Sequence, residues 1–222
     1  DKIDSPMLEA RAINHTAGDP SSDLGQHVEN PTHPNVPVGT VNATSPQMID
    51  GALSGLRKWD ASPQERARVL NAVADQFEAD YGVLFDLLTR EAGKTRADCV
   101  GELREAVDFL RYYAARGAES TAPPLGLITC ISPWNFPLAI FTGQISAALA
   151  AGNGVIAKSA EQTPLIAARA VMLMHQAGVP KTSLCLMSGD GGVGSALTQD
   201  PRINGVVFTG STATAQKIHS TL

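Results

Sequence analysis

The sequence predicts an α/β fold built on a doubly wound parallel sheet, and the order of its apolar segments carries that expectation. Four short apolar runs rich in branched residues lie after residue 120: Leu127 to Ile131, Val155 to Ala157, Leu184 to Met187 and Gly205 to Phe208. Each is followed by a helical stretch: Leu138 to Ala151, Pro164 to Ala177, Gly192 to Thr198 and Thr212 onward. Strands separated by helices of this length pair in parallel through right-handed crossovers, which gives an open, Rossmann-like sheet.

The chain ahead of the sheet divides in two. Residues 1–47 are rich in Pro, Asn, Asp, Ser, Thr and Gly, and Asn30-Pro31, His33-Pro34 and Val36-Pro37 interrupt helix and central strand alike. An irregular N-terminal arm is expected there, with one edge strand around Val38 to Asn42. Residues 48–120 are expected to form an N-terminal helical region packed on the sheet-bearing core over 121–222. Ser45-Pro46 reads as an N-cap with Pro at the first helical position, ahead of Met48, Ile49, Leu53 and Leu56, so a helix should run to about Trp59. Ser62-Pro63-Gln64-Glu65 has capping-box spacing before the stripe Val69, Leu70, Val73 and Phe77. A third helix covers Tyr81 to Glu91 and stops at Gly93. A fourth runs from about Thr95 to Ala115, with Val100, Leu103, Val107, Leu110 and Tyr113 on one face.

Bulk properties exclude several classes. Of 222 residues 43% are apolar, enough for a packed core. Lys and Arg total 17 against 22 Asp and Glu, with no long block of either sign, so neither nucleic acid nor an anionic membrane is an expected partner. No apolar run approaches the ~18 residues of a membrane helix, and the first residues carry no signal segment. Cys99, Cys130 and Cys185 are odd in number and widely spaced, which fits neither a disulfide framework nor a zinc site and points to a reducing cytoplasm. The histidines show no ligand spacing, so no metal site is expected. Cys130, inside a strand, reads as a small buried residue, and nothing near Cys99 or Cys185 would lower a thiol pKa.

In doubly wound sheets ligands bind beyond the carboxyl ends of the strands. Four segments stand there. Ser132-Pro133-Trp134-Asn135-Phe136-Pro137 follows the first strand; its Asn can offer an amide to a developing oxyanion, or can simply cap the next helix with Trp134 in the core. Lys158-Ser159-Ala160-Glu161 follows the second, where cation and carboxylate suit the two hydroxyls of a ribose, or form a solvent-exposed ion pair. Gly189-Asp190-Gly191-Gly192-Val193-Gly194 follows the third and satisfies G-x-G-x-x-G, a phosphate-cradling pattern. It is a lone match in a chain of 20 glycines, on a late strand without the usual carboxylate ~20 residues on, so a plain glycine-rich turn is the favoured reading of the residues. Phe208-Thr209-Gly210-Ser211 follows the fourth; Gly210 permits close backbone approach and Ser211 with the helix N–H groups suits a pyrophosphate, while helix capping by Ser211 or Thr212 is compatible with the same residues.

Together and in order, the Pro-Trp-Asn-Phe-Pro turn, the Lys-x-x-Glu pair and the Phe-Thr-Gly-Ser turn resemble the aldehyde dehydrogenase superfamily. The likeness runs from about Val38 to Leu222 and includes Glu91-Ala92-Gly93-Lys94 and Gly152-Asn153. Ile131 to Gln144, Ala160 to Ala168 and Asp108 to Ala114 are further similar to the dehydrogenase module of the proline utilization A family, which oxidises glutamate semialdehyde, the hydrolysed form of pyrroline-5-carboxylate, to glutamate with NAD. The resemblance implies that Asn135 donates its amide to an oxyanion and that Lys158 and Glu161 hold the adenosine ribose. It implies too that Gly210 and Ser211 lie against pyrophosphate and nicotinamide, and that Trp134 walls the cofactor cleft. Ser132, Pro133, Gly191, Phe208 and Thr209 complete the implied cofactor contacts. NAD is expected over NADP, since a Glu161 carboxylate would repel a 2′-phosphate.

Here Ser159 stands where the family commonly has Pro, and Ala215 where it has Gly. The family places its activating Glu and nucleophilic Cys downstream of Phe-Thr-Gly-Ser, and this sequence runs eleven residues past Ser211, so it is expected to be a portion of a longer enzyme, inactive alone. A small aldehyde is the implied substrate, and intact members are usually oligomeric. Two other readings stay open: a non-catalytic dinucleotide-binding module, and an aldehyde dehydrogenase of different substrate specificity.

Overall fold

The computed structural model describes residues 8–10 and 25–221, and the other residues of the expected arm lie outside them. Three short strands, β1 (Leu8–Ala10), β2 (Gln26–Val28) and β3 (Gly39–Val41), form a small sheet of order β1-β3-β2, parallel on one side and antiparallel on the other. The arm is therefore not irregular throughout, and its expected edge strand is the central one. The prolines permit this because Pro31, Pro34 and Pro37 all fall between β2 and β3. There the Asn30 side chain accepts the N–H groups of Thr32 (2.9 Å) and His33 (3.3 Å) to fix the turn. Val38 N–H then donates to the Val28 carbonyl at 2.8 Å, and both valines join the main core.

Four helices follow: α1 (Pro46–Gly55), α2 (Pro63–Ala79), α3 (Tyr81–Ala92) and α4 (Arg96–Glu119). Ser45, Ser62 and Thr95 cap α1, α2 and α4 by accepting N–H groups three residues on at 3.2, 3.1 and 3.2 Å. Two expectations need correction. α1 stops at Gly55 instead of near Trp59, because the N–H groups of Arg57 and Trp59 donate across the molecule to Thr182 (2.7 Å) and Gly152 (3.0 Å) carbonyls, which holds that stretch extended. The capping box at Ser62 forms only halfway, since the Glu65 carboxylate turns to Arg68 at 2.7 Å. α4 runs about one turn beyond Ala115.

The remaining strands, β4 (Leu127–Ile131), β5 (Gly154–Lys158), β6 (Leu184–Met187) and β7 (Ile203–Phe208), form an all-parallel sheet of order β6-β5-β4-β7. α5 (Ala139–Ala150), α6 (Pro164–Gln176) and α7 (Gly191–Gln199) connect them, and α8 (Thr212–Thr221) follows β7. This is the doubly wound α/β architecture that the alternation predicts. β7 begins two residues earlier than its apolar run suggests. Asn204 is an extra residue between the Ile203–Leu127 and Gly205–Ile128 pairs, and its side chain takes the Leu127 N–H at 2.8 Å.

Alternate residues of the strands feed opposite cores. Val155, Ala157, Leu184 and Leu186 pack with α2 to α6 in the larger cluster, whereas Ile156, Cys185 and Met187 pack with Ile49 and Leu53 of α1 and Val193 and Leu197 of α7. Burial on both faces is why these strands read as continuous apolar runs instead of alternating ones. Each fully buried Leu, Ile or Phe contributes about 1.5–3 kcal/mol. The two-sided packing leaves the carboxyl ends of β4 to β7 side by side, with their following turns at one edge of the sheet.

Candidate functional site

Backbone and side-chain hydrogen bonds lock these strand ends together. Ser132, buried just past β4, donates its N–H to the Lys158 carbonyl at 3.2 Å, and Thr209, just past β7, donates to Ile131 at 3.1 Å. Gln144 of α5 reaches under both, its Nε2 donating to the Ile131 carbonyl and the Thr209 hydroxyl at 3.1 Å each. The turns after β4, β5 and β7 are thereby held in one arrangement.

After β4, Pro133 is half-buried while Trp134, Asn135 and Phe136 are exposed, and Trp134 is 57% exposed. The alternative that places Trp134 in the core does not hold. Neither does helix capping by Asn135: α5 has no side-chain cap of its own, and the N–H groups of Leu138 and Ala139 go to Glu102 Oε1 at 2.8 and 3.3 Å. Asn135 is therefore exposed, flanked in sequence by the exposed Trp134 and Phe136, and free of the local duty that its position suggested.

After β5, Lys158 is only 7% exposed, and its ammonium makes no ion pair or hydrogen bond among the described residues. The solvent-exposed ion pair is thus excluded. Burial pushes the Lys158 pKa down, and the nearby Glu161 and Asp190 carboxylates pull it back up. Glu161 is exposed and, among the described residues, accepts only from Gln162, at 3.0 Å. In the same turn the buried Ser159 and Thr163 hydroxyls have no partner among the described residues. An unpaired buried polar group costs about 1–3 kcal/mol, so this turn carries unmet hydrogen-bonding capacity of the kind a hydroxyl-rich ligand satisfies.

After β6, Asp190 caps α7 with its own carboxylate, accepting the Gly192 N–H at 2.8 Å. Gly189 has a positive φ of 153°, and a Cβ there would meet Val193 Cγ2 at 2.6 Å. Turn geometry and side-chain crowding explain Gly189, and the Asp190 carboxylate occupies the helix start that a phosphate would use. Gly191 is exposed with open space around it. After β7, Phe208 is half-buried, while Thr209, Gly210 and Ser211 are exposed. Ser211 Oγ caps α8 by accepting the Thr214 N–H at 3.2 Å, and the Phe208 ring lies over Gly210, where a Cβ would meet it at 2.6 Å.

Buried thiols take no part: burial pushes Cys130 and Cys185 up to about 12, and Cys99 upward as well. Among the described residues no group of three His, Cys, Asp or Glu is arranged to hold a metal, and no helix is long and apolar enough to cross a membrane. Sequence reasoning missed Gln144 and the glutamates Glu91 and Glu102 that brace the turns. A signal was present for the last two, since each continues the apolar stripe of its helix: Leu84, Leu87, Leu88 and Glu91 on α3, and Cys99, Glu102, Leu103 and Ala106 on α4.

Comparison with known proteins finds relatives of this chain. A bifunctional protein PutA of Klebsiella aerogenes is 51% identical over 200 residues, which cover 86% of this chain and 15% of the relative. That of Escherichia coli K12 is 48% identical over 220 residues, covering 95% and 16%. A Thermus 1-pyrroline-5-carboxylate dehydrogenase with bound NAD superposes with a TM-score of 0.83 at 32% identity, covering 90% of this chain and 43% of that one. The chain thus spans about a sixth of the PutA relatives and under half of the Thermus enzyme. The family model described as the aldehyde dehydrogenase family matches residues 20–222, and this chain belongs to that family.

Proposed function

We propose that this chain is the NAD-binding portion of an aldehyde dehydrogenase that oxidises glutamate semialdehyde, the hydrolysed form of pyrroline-5-carboxylate, to glutamate. The observation that carries the reading is the buried Lys158 ammonium, without an ion-pair or hydrogen-bond partner among the described residues, beside the exposed Glu161 carboxylate and two hydroxyls likewise unpartnered there at the end of β5. A donor and an acceptor in that turn suit the two hydroxyls of an adenosine ribose. The identity to PutA proteins and the likeness to a pyrroline-5-carboxylate dehydrogenase crystallised with NAD support both the substrate and the cofactor.

In this reading NAD, when bound, supplies the hydride acceptor. Lys158 and Glu161 hold its ribose, and Ser132, Pro133, Gly191, Phe208, Thr209, Gly210 and Ser211 line the path along the strand ends. Trp134 covers the outer side of the site and excludes water there. Asn135 points its amide at the aldehyde oxygen as negative charge develops, a contribution on the order of 3 kcal/mol in a dry site. Gln144 keeps the β4 and β7 turns at a fixed separation. Residues 48–120 serve as the platform on which the core over 121–222 is assembled.

Calorimetric titration of the chain with NAD tests the proposal. Saturable binding that is lost in Lys158→Ala, Glu161→Ala supports it; a folded chain that does not bind NAD overturns it.

A further inference from the structure

Glu91, Lys94 and Glu102 lie outside the strand-end turns, yet they touch the elements that carry both principal ones. Glu91, buried at the end of α3, accepts the N–H of Leu165 on Oε1 at 2.6 Å and that of Ile166 on Oε2 at 2.9 Å. Those two residues are the first turn of α6, directly behind the Lys158 to Thr163 turn. Glu102, buried on α4, accepts Leu138 and Ala139 N–H on Oε1 at the start of α5, directly behind the Asn135 turn. Its Oε2 meets the Lys94 ammonium at 2.7 Å, and Lys94 Nζ stands 4.2 Å from the centroid of the Phe136 ring, next to Asn135. Gly93, left-handed at φ 66°, turns the chain between Glu91 and Lys94 so that residues three apart reach different turns. Neither α5 nor α6 has a side-chain cap of its own.

We propose that Glu91 and Glu102, assisted by Lys94, are positioning residues for the dinucleotide site: by filling the first turns of α6 and α5 they fix where Lys158 with Glu161, and Asn135, stand. The inference rests on the cofactor reading above. A helix start with free N–H groups is a strong and directional anchor for a carboxylate, and carboxylates delivered from other helices tie the strand-end turns to the helical platform rather than to solvent. The same contacts take the N–H groups of Leu165 and Ile166 on α6 and of Leu138 and Ala139 on α5, so these groups are not available to a phosphate.

The test uses the 222-residue chain labelled with 5-fluorotryptophan, with NAD as titrant. Trp59 and Trp134 give two fluorine resonances, assigned by Trp134→Phe. Glu102→Ala is expected to shift the Trp134 resonance, leave that of Trp59 in place, and weaken NAD binding about 10-fold or more. Glu91→Ala is expected to weaken NAD binding to a similar degree with Trp134 unmoved, and Glu91→Gln, which keeps an acceptor, to restore affinity to within about 3-fold of wild type. A purely structural role would lower the melting temperature and leave the affinity and the Trp134 resonance of the folded protein unchanged, which overturns the proposal. Should the alanine variants fail to fold, Lys94→Met decides, since it removes the link between Glu102 and the Phe136 ring: a moved Trp134 resonance supports the proposal and an unmoved one sinks it. A wild-type chain that does not bind NAD removes the cofactor reading and, with it, the role proposed for both glutamates, whatever Trp134 does.

Discussion

At Lys158 burial opposes the charge that the proposed ribose contact requires, since the ammonium sits in the sheet without a direct partner among the described residues. Lys158→Met is expected to raise stability by roughly 1–3 kcal/mol in urea denaturation while abolishing NAD binding. Loss of stability instead would show that the ammonium has a structural partner in solution. In the proposed cofactor site Glu161 would act by charge: Glu161→Gln is expected to raise NADP affinity relative to NAD about 10-fold, because a carboxylate and a phosphate ~4 Å apart repel by about 4 kcal/mol at an effective dielectric near 20, only part of which is realised at an exposed site. Glu91 makes stability depend on pH. Burial pushes its pKa from the ordinary 4.5 up to about 8, against the opposite pull of the Leu165 and Ile166 N–H groups. Between those values the native state keeps a proton that the unfolded chain has released. Stability is therefore full below pH 4.5, falls as pH rises toward 8 and levels above it, by roughly 3–5 kcal/mol in total from this group. Melting temperatures of wild type and Glu91→Gln across that range check this, since the variant should lose this slope.

At the scale of elements, α4 shows how one substitution takes opposite signs on one helix. Gly117 faces the end of α5, where an added Cβ would lie 2.8 Å from Ala150 Cβ and 3.0 Å from its carbonyl oxygen. Gly101, on the same helix, has nothing within 4 Å. Gly117→Ala is expected to destabilise by about 1–3 kcal/mol through overpacking, and Gly101→Ala to stabilise by about 0.5–1 kcal/mol through helix propensity. Urea midpoints shifting in the same direction would refute the close packing of α4 on α5.

For the whole molecule, order decreases from the middle of the sheet outward on one side. β5 is buried along its length and paired on both sides, whereas β7 is half-exposed at the edge with Val207 38% exposed, and α8 buries no side chain. Hydrogen exchange is expected to follow: α8 first, then β7, with β5 exchanging only through global unfolding. Protection of α8 equal to that of β5 would show that the β7 edge is covered in solution. Such a gradient also places Gly210 and Ser211 on the least stable part of the site and Lys158 on the most stable.

How much of this was legible depended on range. The sheet, its helices and the four turns at the carboxyl ends of the strands follow from local pattern, because burial on two faces imposes apolar runs on strands and a periodic stripe on helices wherever they occur. Lys158, Glu161, Asn135 and Ser211 were legible as candidates because strand ends are where such sheets bind ligands. The choice between their functional and local readings was not, since it depended on burial and on who caps whom. Only the fold shows Lys158 buried and without a direct partner among the described residues, α5 capped by Glu102 in place of Asn135, and the β2–β3 turn collecting Pro31, Pro34 and Pro37. The sequence by itself determined which segments become strands, helices and turns, because those are set by neighbours a few residues apart. Tertiary structure alone decided which polar groups are left without partners, because the side chains that satisfy Leu127, Leu138, Thr209 and Leu165 come from 77, 36, 65 and 74 residues away, distances at which no local pattern carries information.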